Sequence, residues 1–531
     1  MAKTSQQDSH PDIVFILLDT MRADRLSCYD FGQETTPHLD AFAAGSIVFD
    51  QAISPAQWTI PAHGSLFTGE YPTTHGTTQI FDRHSKDQVT LAEILHGAGY
   101  LTVGFCNNPL LGVVENDLDR GFEAFYNYGG LLADRPRFLE RRPHPIEQLY
   151  QWLVRQIRSL NQPIQDLFTH NDVLLGIALH PWLVPLWERN INFKGNTRQS
   201  IKDFVAYLRT YQAKRERRPI FTYLNLMETH LPYAVPAHFS RKFAPTFHQD
   251  GEASAFLRDY NHRTFDWIAP ITKPFTDQEH RVLNEMYNAE VAYEDFLLAP
   301  LYDYLNLPEI RDNTVVIISA DHGEGLDHHG YVGHSLVTYE DLTRVPLITR
   351  FPGHATHAQR IATPVSTRRI FHTVLQTAHM HPEPAHEALR AQVQKLSLVN
   401  DINDQPPEKE DVFTEAFSPL TLVKLIEGKD PTLVEQFRCL ATRRAIYNGP
   451  QKLITVDDRP EELYDIAQDP SELDNRIADF PDLVDELDAR LQHNLEIART
   501  RRHHNGHDSP KVNVHDNSEV ADRLRQLGYI E

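Results

Sequence analysis

DIVFILLD, residues 12–19, is an unbroken apolar run bounded at each end by an aspartate. A strand with one wet face alternates polar and apolar residues. A run without alternation belongs to a strand covered on both faces, as in a parallel sheet. Similar runs recur at 100–108 (YLTVGFCNN), 219–228 (PIFTYLNLME), 313–323 (NTVVIISADHG) and 345–353 (VPLITRFPG). Helical patterns lie between them, at 91–100 (LAEILHGAGY) and 289–305 (AEVAYEDFLLAPLYDYL). Strands alternating with helices define an α/β fold with a large, mostly parallel sheet sandwiched by helices.

With 531 residues the chain is too long for one simple core. Residues 1–385 carry the α/β pattern. Within them, 132–215 reads as a helical insertion and 236–285 as a long irregular excursion. Short strand-like pieces followed by the helical run FPDLVDELDARLQHNL mark a smaller C-terminal α+β domain over 386–498. A polar tail with a terminal helix, EVADRLRQLGYI, occupies 499–531. The formal net charge of −22 argues against a nucleic-acid polymer as partner, since phosphate binding needs a basic footprint. It leaves a small anionic substrate open, because a bound cation reverses the field in a single pocket. Three cysteines without regular spacing make neither a disulfide framework nor a zinc cluster. The apolar run 13–18 is too short for a membrane span or a signal-peptide core, so a cytoplasmic protein is expected. Self-association is left open.

In parallel α/β sheets ligands bind beyond the carboxyl ends of the strands. Asp19 sits at one such end, and Asp321 and His322 at another. Each alone also fits a strand-end turn. Together in one crevice, two carboxylates and an imidazole call for a divalent cation. Thr59, in WTIPAHGSLFTG, fits a helix N-cap; it also fits a hydroxyl held at a helix N-terminus, where backbone N–H groups face an anion. Coordination by a cation would activate that hydroxyl as a nucleophile.

The pattern T-x-P-x-H-x-S-L-x-T-G-x-Y-P-x-x-H-G (59–76), the run SADHGE (319–324), YEDLTRVPLI (339–348) and the C-terminal KLI (452–454) and ELYDI (462–466) resemble the sulfatase branch of the alkaline phosphatase superfamily. The resemblance implies Asp19, Asp321, His322 and Thr59 as ligands of one divalent metal, with Thr59 as nucleophile. His63 takes the place of the motif's arginine, and either His63 or His230 is expected to protonate the leaving alkoxide. His230 matches a histidine at the substrate or leaving group, and His334 stands where relatives carry a lysine against the substrate anion. Asn107 and Asn108 end another strand and are candidates for the substrate crevice or for a turn. Threonine cannot be the precursor of formylglycine, so no formylglycine is expected. The threonine variant resembles phosphodiesterases and phosphonate monoester hydrolases, which implies hydrolysis of phosphate diesters or of phosphonate or phosphate esters. The alternatives are a sulfatase working without formylglycine, a phosphotransferase, or an inactive sulfatase-like binding protein. Aspartate and histidine ligands favour Mn²⁺ or Zn²⁺, with Ca²⁺ also admissible.

Overall fold

The computed structural model describes residues 10–80, 82–112, 114, 116–129, 136, 194–263, 267, 273–352, 358–379, 387–403 and 411–504. Among these, eight strands form one sheet: β1 (Asp12–Leu18), β2 (Ile47–Phe49), β3 (Leu101–Cys106), β4 (Ala124–Asn127), β5 (Ile220–Leu226), β6 (Thr314–Ser319), β7 (Leu347–Arg350) and β8 (Gln359–Ile361). Their order across the sheet is β8-β2-β7-β6-β1-β5-β3-β4. The run at 12–18 is thus a central strand, parallel to β5 and β6 on either side. Every residue of β1, β5 and β6 is buried, which is why these segments show no polar alternation.

Four expectations need correction or refinement. VPLITRFPG holds the one strand of this sheet that runs against its neighbours, since β7 is antiparallel to both β2 and β6. An apolar run reports burial on both faces, not direction. The stretch 236–285 is largely helical where described, with helices at Ala237–Phe243, Pro245–Gln249 and Gly251–His262. The pattern at 289–305 is the second half of a longer helix, Asp277–Leu305, begun by a capping box between Thr276 and Glu279. Of the proposed 132–215 insertion, the helix Thr197–Gln212 is described; nearly all the rest lies outside the described residues, as does the proposed terminal helix 519–530.

The C-terminal sheet is antiparallel, β9 (Val412–Ala416), β10 (Arg443–Asn448), β11 (Gln451–Val456) and β12 (Arg459–Asp465) in sequence order. It packs against the long helix Pro481–His504 through Phe413, Ile446, Leu453, Leu487, Leu491 and Leu495. This smaller domain also reaches the chain just before Thr59: Ala56 bridges Glu415, and the Phe417 carbonyl accepts from Gln57 Nε2 and Trp58 Nε1, each at 3.1 Å.

Candidate active site

Four neighbouring strands end on one side of the sheet, and their carboxyl ends supply the site. Asp19 follows β1, and Asp321 and His322 follow β6. Asn225 lies on β5, and Asn108 follows β3. Leu17 pairs with both Asn225 and Ser319, so these ends lie at one level. Thr20 has φ 61°, a left-handed conformation that is rare for a β-branched residue. Its amide points to Asp321 Oδ1 at 3.4 Å, and its carbonyl accepts from Tyr287 Oη at 2.7 Å. The strained turn therefore ties the ends of β1 and β6 together.

Asp19, Asp321 and His322 are fully buried and bring one ligand atom each within 4.8 Å of the others. Asp19 Oδ2 accepts from Asn108 Nδ2 at 2.7 Å, and Asp321 Oδ1 from the His322 amide at 3.0 Å. Asp19 Oδ1 and Asp321 Oδ2 are buried without a hydrogen-bond partner. Burial pushes both carboxyls up, and for Asp321 the neighbouring charge of Asp19 adds to it. Two unpartnered carboxylate oxygens beside an imidazole nitrogen fit a divalent cation, which would compensate this charge in the interior. His322 Nδ1 donates to the Gly323 carbonyl at 2.9 Å, which leaves Nε2 as the nitrogen that could hold a cation.

Helix α1 (Thr59–Thr68) begins at this point. The N-cap position is Trp58, extended at φ −151° and ψ 168°, and no side chain caps the helix. The Thr59 hydroxyl is thus not spent as a cap; Oγ1 lies 3.3 Å from His322 Nε2. The helix ends at Gly69, left-handed at φ 73°, whose amide returns to the Ser65 carbonyl at 2.8 Å.

His63, one turn along α1, donates from Nδ1 to the Thr59 carbonyl at 2.8 Å, so its Nε2 accepts from Tyr223 Oη at 2.7 Å. Both nitrogens are engaged, and burial lowers its pKa to about 4. This makes His63 a neutral support beneath Thr59, with Nδ1 also 3.6 Å from Asp321 Oδ2. His230 and His334 line the other side. His230 Nδ1 donates to the Leu231 carbonyl at 2.9 Å, which leaves Nε2 unbonded among the described residues; burial and then the charge of His334 lower its pKa to about 4. His334 stacks on His322 with ring centres 4.5 Å apart and meets His230 edge-on at 5.0 Å.

Asn107, expected at the substrate crevice, instead donates to the Lys194 carbonyl and Thr197 Oγ1, each at 3.1 Å. Its neighbour Asn108 is the residue against Asp19. The sequence reading also missed Glu324, which accepts from His334 Nδ1 at 2.9 Å. Its position inside the SADHGE run was the available signal.

The sulfatase family's sequence profile matches residues 11–380, and the chain belongs to that family of hydrolases. An uncharacterised sulfatase of Escherichia coli, YidJ, is 25% identical over 381 residues, 69% of this chain and 68% of the relative. An N-acetylgalactosamine-6-O-sulfatase of Bacteroides thetaiotaomicron is 22% identical over 543 aligned positions, covering 92% of this chain and 93% of that protein. Among solved structures, the phosphonate monoester hydrolase of Agrobacterium radiobacter superposes with a TM-score of 0.63 at 20% identity, over 92% of this chain and 96% of the other. These matches support the fold class read from the sequence: a large mostly parallel sheet flanked by helices, with a smaller C-terminal sheet. Among the described residues no helix is long and apolar enough to cross a membrane.

Proposed function

We propose that this chain is a metal-dependent hydrolase of phosphate diesters or of phosphonate or phosphate monoesters, with Thr59 as nucleophile. One observation carries the reading: a hydroxyl at the N-terminus of a buried helix, 3.3 Å from His322 Nε2, beside two carboxylate oxygens that accept no hydrogen bond. Asp19, Asp321, His322 and Thr59 would hold the metal, Mn²⁺ or Zn²⁺ by donor type with Ca²⁺ admissible. When bound, it supplies positive charge that lowers the hydroxyl pKa and draws in the ester anion.

In the first step Thr59 Oγ1, whose proton has left to solvent before the ester binds, bonds to phosphorus in line as the ester P–O bond breaks. The N-terminal amides of α1 and the His334 imidazole face the non-bridging oxygens. The anion of the bound ester opposes the burial that keeps His230 neutral. His230 then carries a proton on Nε2, with Nδ1 held on the Leu231 carbonyl, and passes it to the leaving oxygen. In the second step water bonds to phosphorus, His230 takes up the water's proton, and the Oγ–P bond breaks to restore Thr59. An alcohol in place of water gives transfer instead of hydrolysis.

The test is turnover of p-nitrophenyl phosphate, bis(p-nitrophenyl) phosphate, p-nitrophenyl phenylphosphonate and p-nitrophenyl sulfate, with EDTA and with added Mn²⁺. Metal-dependent hydrolysis of the phosphorus esters, lost at least 10³-fold in Thr59→Ala, is expected. Preference for the sulfate ester would replace this reading by that of a sulfatase without formylglycine. Near-normal rates in Thr59→Ala would remove the nucleophile.

A further inference from the structure

We infer that Glu324 is a positioning residue for His334: it fixes the imidazole so that Nε2, and not Nδ1, is presented to the substrate anion. The inference rests on the proposed reading of the pocket as an ester site.

The cause lies in the backbone. Residues 325–326 and 332–333 form a two-residue antiparallel ladder, with Gly325 opposite Gly333 and Leu326 opposite Val332. That register makes 324 and 334 the next cross-strand pair, facing each other at the mouth of the hairpin. Glu324 is fully buried, and its backbone is held at both ends. Its amide donates to the Asp341 carbonyl at 3.0 Å, and its carbonyl accepts from Arg22 Nη1 at 3.1 Å. Gly323, just before it, packs so close to the Asp341 carbonyl that a Cβ there would collide with backbone. Glu324 therefore has little freedom to leave His334.

The imidazole is confined from three sides. Glu324 Oε1 accepts from Nδ1 at 2.9 Å, the His322 ring lies against one face at 4.5 Å, and His230 meets it edge-on. A carboxylate acceptor on Nδ1 settles which nitrogen is free. A lysine at this position would need no such partner, because a primary ammonium presents a donor in any rotamer. The glutamate and the histidine thus form one unit that does the work of a single flexible cation.

The experiment is a double-mutant cycle on the metal-loaded enzyme with bis(p-nitrophenyl) phosphate, together with binding of inorganic phosphate measured by calorimetry. Glu324→Ala is expected to raise KM and the phosphate Kd about 10-fold while kcat changes less than threefold. His334→Ala is expected to do the same. The double variant is expected to be no worse than His334→Ala, and Glu324→Ala placed in a His334→Lys background to cost less than twofold. Additive losses in the cycle, or a fall in kcat at unchanged KM, would overturn the inference. Glu324→Gln, which keeps an acceptor oxygen and the side-chain volume, serves as the folding control and is expected to recover most of the phosphate affinity. Failure of the ester assignment shows differently, as absence of turnover in the unaltered enzyme. The phosphate cycle still decides the Glu324–His334 coupling in that case.

Discussion

At the residue scale, each proposed ligand oxygen depends on what holds its partner oxygen. Asp19 offers Oδ1 because Oδ2 is taken by Asn108 Nδ2 at 2.7 Å, with Asn225 Nδ2 more distant at 3.5 Å. Such outer contacts fix ligand orientation and typically change metal affinity by about 10–100-fold when lost. Asn108→Leu is therefore expected to weaken Mn²⁺ binding by about that factor while kcat at saturating Mn²⁺ falls much less. Titration of the apoprotein with Mn²⁺ measures the first quantity and steady-state turnover the second; unchanged affinity would show that Asn108 does not orient Asp19. Asp19, Asp321 and His322, the cluster that could hold a cation, were legible in sequence because each closes an apolar run, where a parallel strand delivers its end to the crevice; Thr59 was legible only through its motif. Asn108 was not separable from Asn107 by the same rule. Both close the run at 100–108, and only the alternation of side chains at the end of β3 and the adjacency of β5 decide which one reaches Asp19. His63 was placed correctly one turn from Thr59, but its second partner, Tyr223, comes from a strand 160 residues away.

At the scale of elements, the segment from Gly323 to Thr343 carries Glu324 and His334 and is anchored to the C-terminal sheet. Lys452 on β11 is fully buried and pairs with two carboxylates, Glu340 at 3.0 Å and Glu472 at 2.7 Å. One ammonium cannot balance both. Burial, only partly offset by Lys452 and reinforced by the charge of Glu340, pushes Glu472 up to about 8. Its folded pKa thus lies above its unfolded value. The stability this group contributes is complete at pH values below the ordinary carboxylate range and is lost as pH rises through about 8. The natural chain is expected to lose on the order of a few kcal/mol more than Glu472→Gln between pH 6 and pH 9. Thermal unfolding of the two proteins across that range measures the difference; parallel curves would count against the shift. None of this anchoring was readable in the sequence. KLI and ELYDI announced strands, but the partner of a buried lysine is set by how two domains meet. The same gap explains β7: the apolar pattern of 347–350 is satisfied equally by either strand direction, and only its antiparallel pairing with β2 and β6 distinguishes them.

At the scale of the whole molecule, the site is a joint between sheet ends, helix α1 and the C-terminal domain, and a cation would close it. Glu415 on β9 accepts from the Thr73 amide at 2.9 Å and from Arg444 Nε at 3.2 Å, and Phe417 holds Gln57 and Trp58 just before Thr59. The Thr59 hydroxyl is thus braced by the smaller domain. On the other side, Asp19 and Asp321 face each other with one unpartnered oxygen apiece, and ionising both without a cation is opposed by burial and by their mutual repulsion. A ligand that binds only the folded chain stabilises it by RT ln(1 + [L]/Kd), about 2.7 kcal/mol at one hundred times Kd. Adding Mn²⁺ to the EDTA-treated protein is therefore expected to raise Tm by a few degrees, with the rise growing with the logarithm of metal concentration. Thr59→Ala retains Asp19, Asp321 and His322, three of the four proposed ligands, and should keep most of that rise while losing turnover. Asp321→Asn removes the repulsion together with a ligand, so its metal-free form should melt above the metal-free natural protein and gain little from Mn²⁺. A metal-independent Tm in the natural chain would separate the buried carboxylates from cation binding and leave their desolvation without compensation.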